Sequence, residues 1–225
     1  MPAFPDASDP GPAIQWPLPP VMASVAVRPL RLGVMASGSG SNFENLVTAC
    51  RRGELAAEVR QLVVNNPGCG AQQRAERLGV PVGVLDHRGF QSREALDAAL
   101  VETFRSAAVE LVVMAGWMRI VTQRLIDAFP DRLVNIHPSL LPSFRGARAV
   151  EQALQAGVRL SGCTAHLVRL EVDGGPILIQ AAVPVLEGDD AASLAKRIHR
   201  QEHRILPAAV ALAALRLGLL QNAQG

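Results

Sequence analysis

Lysine is almost absent from this chain. Lys196 is the only one among 225 residues, and the arginines are scattered in runs no longer than two, such as Arg51-Arg52. With a formal net charge of +2, no basic stripe stands out that would follow a phosphate backbone, so no nucleic-acid partner is expected. Cysteine is scarce too. Cys50, Cys69 and Cys163 are odd in number, far apart and without a second Cys or His at zinc-finger spacing, which excludes a disulfide scaffold and fits a reducing cytoplasm. His199 and His203 stand four apart, but the glutamate between them is not where a zinc protease needs it, so no metal is expected. Long hydrophobic runs are also missing. The most apolar late stretch, Leu206 to Leu220, is interrupted by Arg216, and no membrane span is expected.

The first 29 residues hold eight of the sixteen prolines and no basic residue before Arg28, so they carry neither the basic start nor the apolar run of a secretory signal. Residues 1–29 are expected to be a disordered extension and residues 30–225 a single domain. At 49% hydrophobic and 19% charged residues, that domain has the composition of a globular fold.

From Leu30 the chain alternates short apolar runs with segments of helical periodicity. Leu30 to Ala36 reads as a strand, Ser37 to Asn42 as a loop, and Phe43, Leu46, Val47 and Cys50 as one face of a helix. Further strands are expected at Leu62 to Val64, Val80 to Leu85, Leu111 to Ala115 and Arg132 to Ile136. A polar helix is expected to end at Gly79, a longer one to begin near Ser92, and a short one to run from Ala149 to Ala156. Ser161 to Glu171 and Pro176 to Val185, joined by Val172-Asp173-Gly174-Gly175, look like a hairpin. A last helix is expected from Asp190 through Leu206, capped by Asp189 or Asp190 and restarting at Pro207. The fold class is therefore α/β: a Rossmann-like, mostly parallel sheet with helices on both faces and an antiparallel C-terminal part.

Three places carry candidate chemistry. The glycines and hydroxyls of Ser37 to Asn42, set between a strand and a helix start, suit a phosphate, because free backbone N–H groups and the helix dipole attract an anion. The third glycine of a dinucleotide fingerprint is replaced by Phe43, and no Gly-Lys-Ser/Thr follows, so neither a dinucleotide nor a Walker-type loop is indicated. A monophosphate and a plain Gly/Ser turn both remain open. Asn135 and His137 are two apart at a strand end, hence on one face of the sheet where ligands of open α/β sheets bind, although a structural histidine would also fit. Asp173, before Gly174-Gly175-Pro176, reads on its own as a turn aspartate.

Four blocks taken together resemble the phosphoribosylglycinamide formyltransferases, folate enzymes of purine synthesis. They are Ser37 to Asn42, Ala115 to Ile120, Asn135 to Pro142 and Leu170 to Pro176, and the likeness extends from about Arg31 to Leu217. The resemblance implies that Asn135, His137 and Asp173 are catalytic, and that Gly40, Ser41, Asn42 and Glu202 hold the nucleotide with its phosphate. It implies further that Arg93, Met118, Arg119, Ile120, Asn135 and His166 border the folate. The implied substrates are 10-formyltetrahydrofolate and glycinamide ribonucleotide, with no metal. Two positions depart from the pattern: Ser143 to Arg148 lacks histidines that some relatives carry, with an Arg-Gly-Ala similar to that of methionyl-tRNA formyltransferases, and His199 stands where Gln or Lys is common.

Such chemistry suits these residue types. An amine attacking a formyl carbon creates an oxyanion, which the Asn135 amide and a protonated His137 would stabilise, while Asp173 would support His137 and help move the amine proton. The rivals are formyltetrahydrofolate hydrolase, expected to need an additional N-terminal domain, a tRNA formyltransferase, expected to need a C-terminal RNA-binding domain, and a non-catalytic folate or nucleotide sensor.

Overall fold

Side-chain alternation along the central strands decides the layers. On β2 (Leu30–Ala36), Leu32, Val34 and Ala36 join one apolar cluster and Met35 the opposite one; on β5 (Leu111–Met114), Leu111 and Val113 face the first, Val112 and Met114 the second. A sheet apolar on both faces must be covered on both. The first face carries α1 (Ser41–Arg51), α2 (Gly70–Leu78), α5 (Ala149–Gln155) and α6 (Ala191–Arg216); the second carries α3 (Arg93–Ser106) and α4 (Gln123–Ala128).

The computed structural model describes residues 15–17 and 28–220. The remaining strands are β1 (Gln15–Trp16), β3 (Ala57–Val64), β4 (Val82–Val84), β6 (Leu133–His137), β7 (Leu160–Leu167) and β8 (Ile177–Pro184), and the sheet order is β1-β8-β7-β6-β5-β2-β3-β4. From β4 to β6 neighbours pair in parallel; β7, β8 and β1 are antiparallel. This is the expected α/β class, parallel first and antiparallel at the C-terminal end.

Several boundaries differ from the sequence reading. β4 is only Val82–Val84, β3 begins earlier at Ala57, and β7 stops at Leu167, where a loop through Pro176 replaces a tight hairpin. β1 and α4, too short to show a period, were not foreseen. The expectation of a disordered extension falls outside the described residues except at 15–17 and 28–29. At the first of these Gln15 and Trp16 pair with Ala181 and Gln180 of β8. At the second, the two terminal guanidinium nitrogens of Arg28 donate to the Glu110 carboxylate at 2.7 Å.

Helix α6 does not restart at Pro207; it runs through it. Proline removes the N–H that would donate to the carbonyl four residues back, that of His203. Asn45 of α1 supplies the missing donor, its Nδ2 lying 2.7 Å from the His203 oxygen. The buried row Ile205, Leu206, Ala208, Ala209 and Val210 then holds the helix to the sheet on both sides of the proline. Asn45→Ala is expected to destabilise the fold by about 1–2 kcal/mol, the scale of a lost bond to a poorly hydrated carbonyl. In a Pro207→Ala background, where the backbone N–H returns, the same change should cost clearly less; urea unfolding of the four proteins checks this.

Candidate active site

The carboxyl ends of the parallel strands open onto one cavity of about 830 Å³. It lies where the chain order reverses, β2 being flanked by β5 on one side and β3 on the other, which is the usual crevice for a ligand in an open α/β sheet. Ser37 to Asn42, Ala115 to Val121, Asn135, His137, the loop at Gly146 to Arg148, His166, Asp173, His199 and Glu202 all line it.

Asn135 and His137 leave the same face of β6, as their spacing requires, and β7 adds a third group: His166 is the register partner of Asn135, so the two side chains stand side by side. Asn135 Nδ2 is 3.1 Å from His166 Nε2 and 3.5 Å from Asp173 Oδ1. The other ring nitrogen of His166 lies 2.9 Å from the Leu167 carbonyl and must donate to it, which leaves Nε2 of the neutral ring to accept from Asn135. His137 has an acceptor at each nitrogen: the Phe144 carbonyl 2.8 Å from Nε2 and Asp173 Oδ2 3.4 Å from Nδ1.

Asp173 is in contact with all three of these side chains. It sits in the left-handed region at φ 52°, its Oδ2 accepts the Gly146 N–H at 2.8 Å, and its Oδ1 faces His166 at 3.4 Å. Burial pushes its carboxyl up, but the facing His166 ring, the bond from the Gly146 amide and the nearby His137 outweigh this, and the net shift is downward. Arg145 and Glu171 pair across the two loops that enclose this cluster. Thr164, opposite His137, fixes the segment that follows: its hydroxyl donates to the Ser139 carbonyl at 2.7 Å and accepts the Leu141 N–H at 3.0 Å.

At the other end of the cavity Gly40 begins α1 with φ 77° and offers no side-chain cap, so among the described residues the first N–H groups of the helix have no partner. A Cβ on Gly40 would stand 2.5 Å from the Ala71 backbone, which explains glycine there. The loop is clamped from α2 by the Ala71 N–H on the Gly38 carbonyl at 3.0 Å and by Arg74 Nε on the Ser39 carbonyl at 2.9 Å. Across from it, α6 presents Glu202, which accepts from Asn42 Nδ2 at 2.8 Å, and His199, 3.3 Å from the Ser41 hydroxyl. Asn42 Oδ1 is buried with no partner among the described residues.

Met118, Arg119 and Ile120 form the opposite lip, Met118 being 80% exposed. Arg93 is not brought to the cavity wall; it stands exposed in the first turn of α3, after the Ser92 cap. The sequence reading missed the Phe144 carbonyl, the Gly146 amide, Arg148 and Arg169, all in loops without periodicity; the glycine at 146, with φ 75°, was the only signal. Among the described residues no group of three or more His, Cys, Asp or Glu side chains is arranged to hold a metal ion, and no helix is long and apolar enough to cross a membrane. All three cysteines are free, and burial pushes the Cys50 thiol up to about 12 and that of Cys163 upward too, so neither is an activated nucleophile.

Comparison with known proteins gives this geometry a lineage. The family model described as formyl transferase matches residues 30–210. The chain is 40% identical over 194 residues to the trifunctional purine biosynthetic protein adenosine-3 of Gallus gallus, covering 86% of this chain but only 19% of that protein. It is 37% identical over 180 residues to the phosphoribosylglycinamide formyltransferase of Bacillus subtilis (strain 168), covering 80% of this chain and 92% of the relative. The crystal structure of glycinamide ribonucleotide transformylase 1 from Symbiobacterium toebii superposes with a TM-score of 0.80 at 46% identity, covering 81% of this chain and 86% of that one. The chain thus spans about a fifth of the trifunctional relative and nearly all of the Bacillus subtilis one. With the sheet, the cavity and the family model in agreement over residues 30–210, this chain belongs to the formyl transferase family.

Proposed function

We propose that this protein transfers the formyl group of 10-formyltetrahydrofolate to the amine of glycinamide ribonucleotide, a step of purine biosynthesis. The observation that carries this reading is one cavity with two unlike ends: a helix start with free N–H groups at Gly40 to Asn42, and a cluster of Asn135, His137, His166 and Asp173. The phosphate would take the first end and the formyl carbon the second. Family members that bear the name of this activity, and are matched over 92% of their length, support it. Three free cysteines suit the cytoplasm in which we place the reaction.

In the reaction the amine nitrogen bonds to the formyl carbon, the carbonyl oxygen gains negative charge, and the bond from carbon to the folate N10 then breaks. One proton leaves the amine and one arrives at N10, so nothing else is consumed. One hydrogen of Asn135 Nδ2 is spent on His166; the other has only the 3.5 Å contact to Asp173 Oδ1, weak enough to turn toward an oxyanion. His137 Nε2 now donates to the Phe144 carbonyl, an acceptor that the developing oxyanion would replace. Asp173, 3.4 Å from His137 Nδ1, stabilises the charged ring and is placed to accept the amine proton directly or through a water. Glu202 would meet the nucleotide and Met118, Arg119 and Ile120 the folate, while Arg93 stands outside the cavity lining.

The test offers purified protein 10-formyltetrahydrofolate with and without glycinamide ribonucleotide and follows tetrahydrofolate and formate. Tetrahydrofolate formed only with the amine supports transfer. Formate released without it makes the protein a hydrolase, and binding without turnover makes it a sensor.

A further inference from the structure

Asp97 is a carboxylate on the apolar side of α3, among Leu96, Leu100, Val101 and Phe104, and is 2% exposed. Burial pushes its carboxyl up, against which the Thr122 donors and Arg93 act only in part. Such a group is expensive in a core unless it holds something in place. Its Oδ2 accepts both the backbone N–H of Thr122, at 2.5 Å, and the Thr122 hydroxyl, at 2.8 Å. Thr122 is the residue before α4; its hydroxyl donates to Asp97 and accepts no capping bond from the helix.

Thr122 ends the strap that follows β5. The near end is pinned at the phosphate loop, by the Ser37 N–H on the Gly116 carbonyl at 3.0 Å and by the Met118 N–H on the Ser37 hydroxyl at 2.9 Å. The far end is pinned at Asp97. Between them, among the described residues, no hydrogen bond holds the amides of Arg119, Ile120 or Val121, while Met118, Arg119 and Ile120 stand exposed in the cavity lip. Trp117 and Val121 are buried in the core, so the exposed residues 118–120 are placed by those two side chains and the two fastenings together.

We propose that Asp97 is a positioning residue for the formyl donor: by fixing Thr122 it sets the strap 118–121, and with it the wall against which the donor binds. This rests on the reading of the cavity given above. Arg93, four residues earlier and so on the same side of α3, lies near enough for its charge to act on the Asp97 carboxyl.

Asp97→Ala removes both bonds; Thr122→Val removes only the hydroxyl and keeps the shape. Three quantities are read on each: hydrogen exchange of the 115–122 segment, calorimetric affinity for tetrahydrofolate, and steady-state constants for both substrates. In both variants the segment should exchange faster. Tetrahydrofolate affinity and the donor KM should worsen by about 5- to 20-fold in Asp97→Ala and less in Thr122→Val, the scale of one or two hydrogen bonds. The amine KM and kcat should stay within about twofold. Equal losses for both substrates, a fall in kcat alone, or unchanged exchange would overturn the proposal and leave Asp97 a plain structural bond. Because affinity is measured without turnover, a wild-type protein that binds tetrahydrofolate but transfers nothing refutes the proposed reaction and leaves the Asp97 result readable; one that binds no folate refutes both.

Discussion

Asp173→Asn is expected to lower kcat by about 10²–10⁴-fold while leaving the affinity for either substrate nearly unchanged, the range for removing a general acid or base. The substitution keeps the shape of the side chain and removes its charge. In the native cluster the carboxylate accepts the Gly146 N–H at 2.8 Å and lies 3.4 Å from both His137 and His166. An amide at this place can still accept from Gly146 through its oxygen, so the loops stay closed, but its NH2 then faces imidazole nitrogens that had an anion beside them. The segments proposed to bind substrate, Gly40 to Asn42 and Met118 to Ile120, make no hydrogen bond to Asp173. Measured kcat and both KM values decide the matter: a wild-type rate in a folded Asp173→Asn protein would reduce Asp173 to a turn residue and remove the proposed mechanism.

The same carboxylate has an acid signature. Its folded pKa lies below the usual carboxylate range, so its contribution to stability is complete above the unfolded value of about 3.9 and is lost as pH falls through the lower folded value. Unfolding curves of Asp173→Asn should lack that share of the acid dependence.

The parallel half of the sheet was legible because its strands, buried on both faces, are continuous apolar runs, and because helices of three or more turns show their period. Asn135 and His137 were legible as a pair because residues two apart on a strand share a face. His166 beside them follows only from the antiparallel register of β6 and β7, which no local pattern encodes. Its place, like the roles of Asp173 and Glu202, was indicated by resemblance alone. Periodicity also misjudged Pro207, since the donor that lets α6 continue comes from Asn45, 158 residues away from the carbonyl it satisfies. Asp97 escaped notice for a related reason: within α3 it occupies an apolar face, and its partner Thr122 is 25 residues further on. In each case what was missed is a single side chain closing a gap in another element.

A final expected result turns on Gly175, which touches no proposed substrate. A Cβ there would fall 1.7 Å from the Leu167 carbonyl oxygen, far inside van der Waals contact. That carbonyl is held in place, because the peptide unit that carries it donates the Val168 N–H to the Leu133 carbonyl of β6 at 2.9 Å. In Gly175→Ala the loop 169–176 must therefore move instead, and Asp173, two residues away and already in the left-handed region, moves with it. A displacement of about 1 Å at a reacting group costs on the order of 10²-fold in rate. The expected outcome is a folded protein with kcat lowered by about 10²-fold or more and little change in nucleotide affinity, read by circular dichroism, steady-state kinetics and calorimetry. Because the effect passes through Asp173, combining Gly175→Ala with Asp173→Asn should lower kcat little beyond the worse of the two alone. Fully multiplicative losses would show that Gly175 acts by another route, and a wild-type rate in Gly175→Ala would show that the chemistry does not depend on where this loop holds its carboxylate.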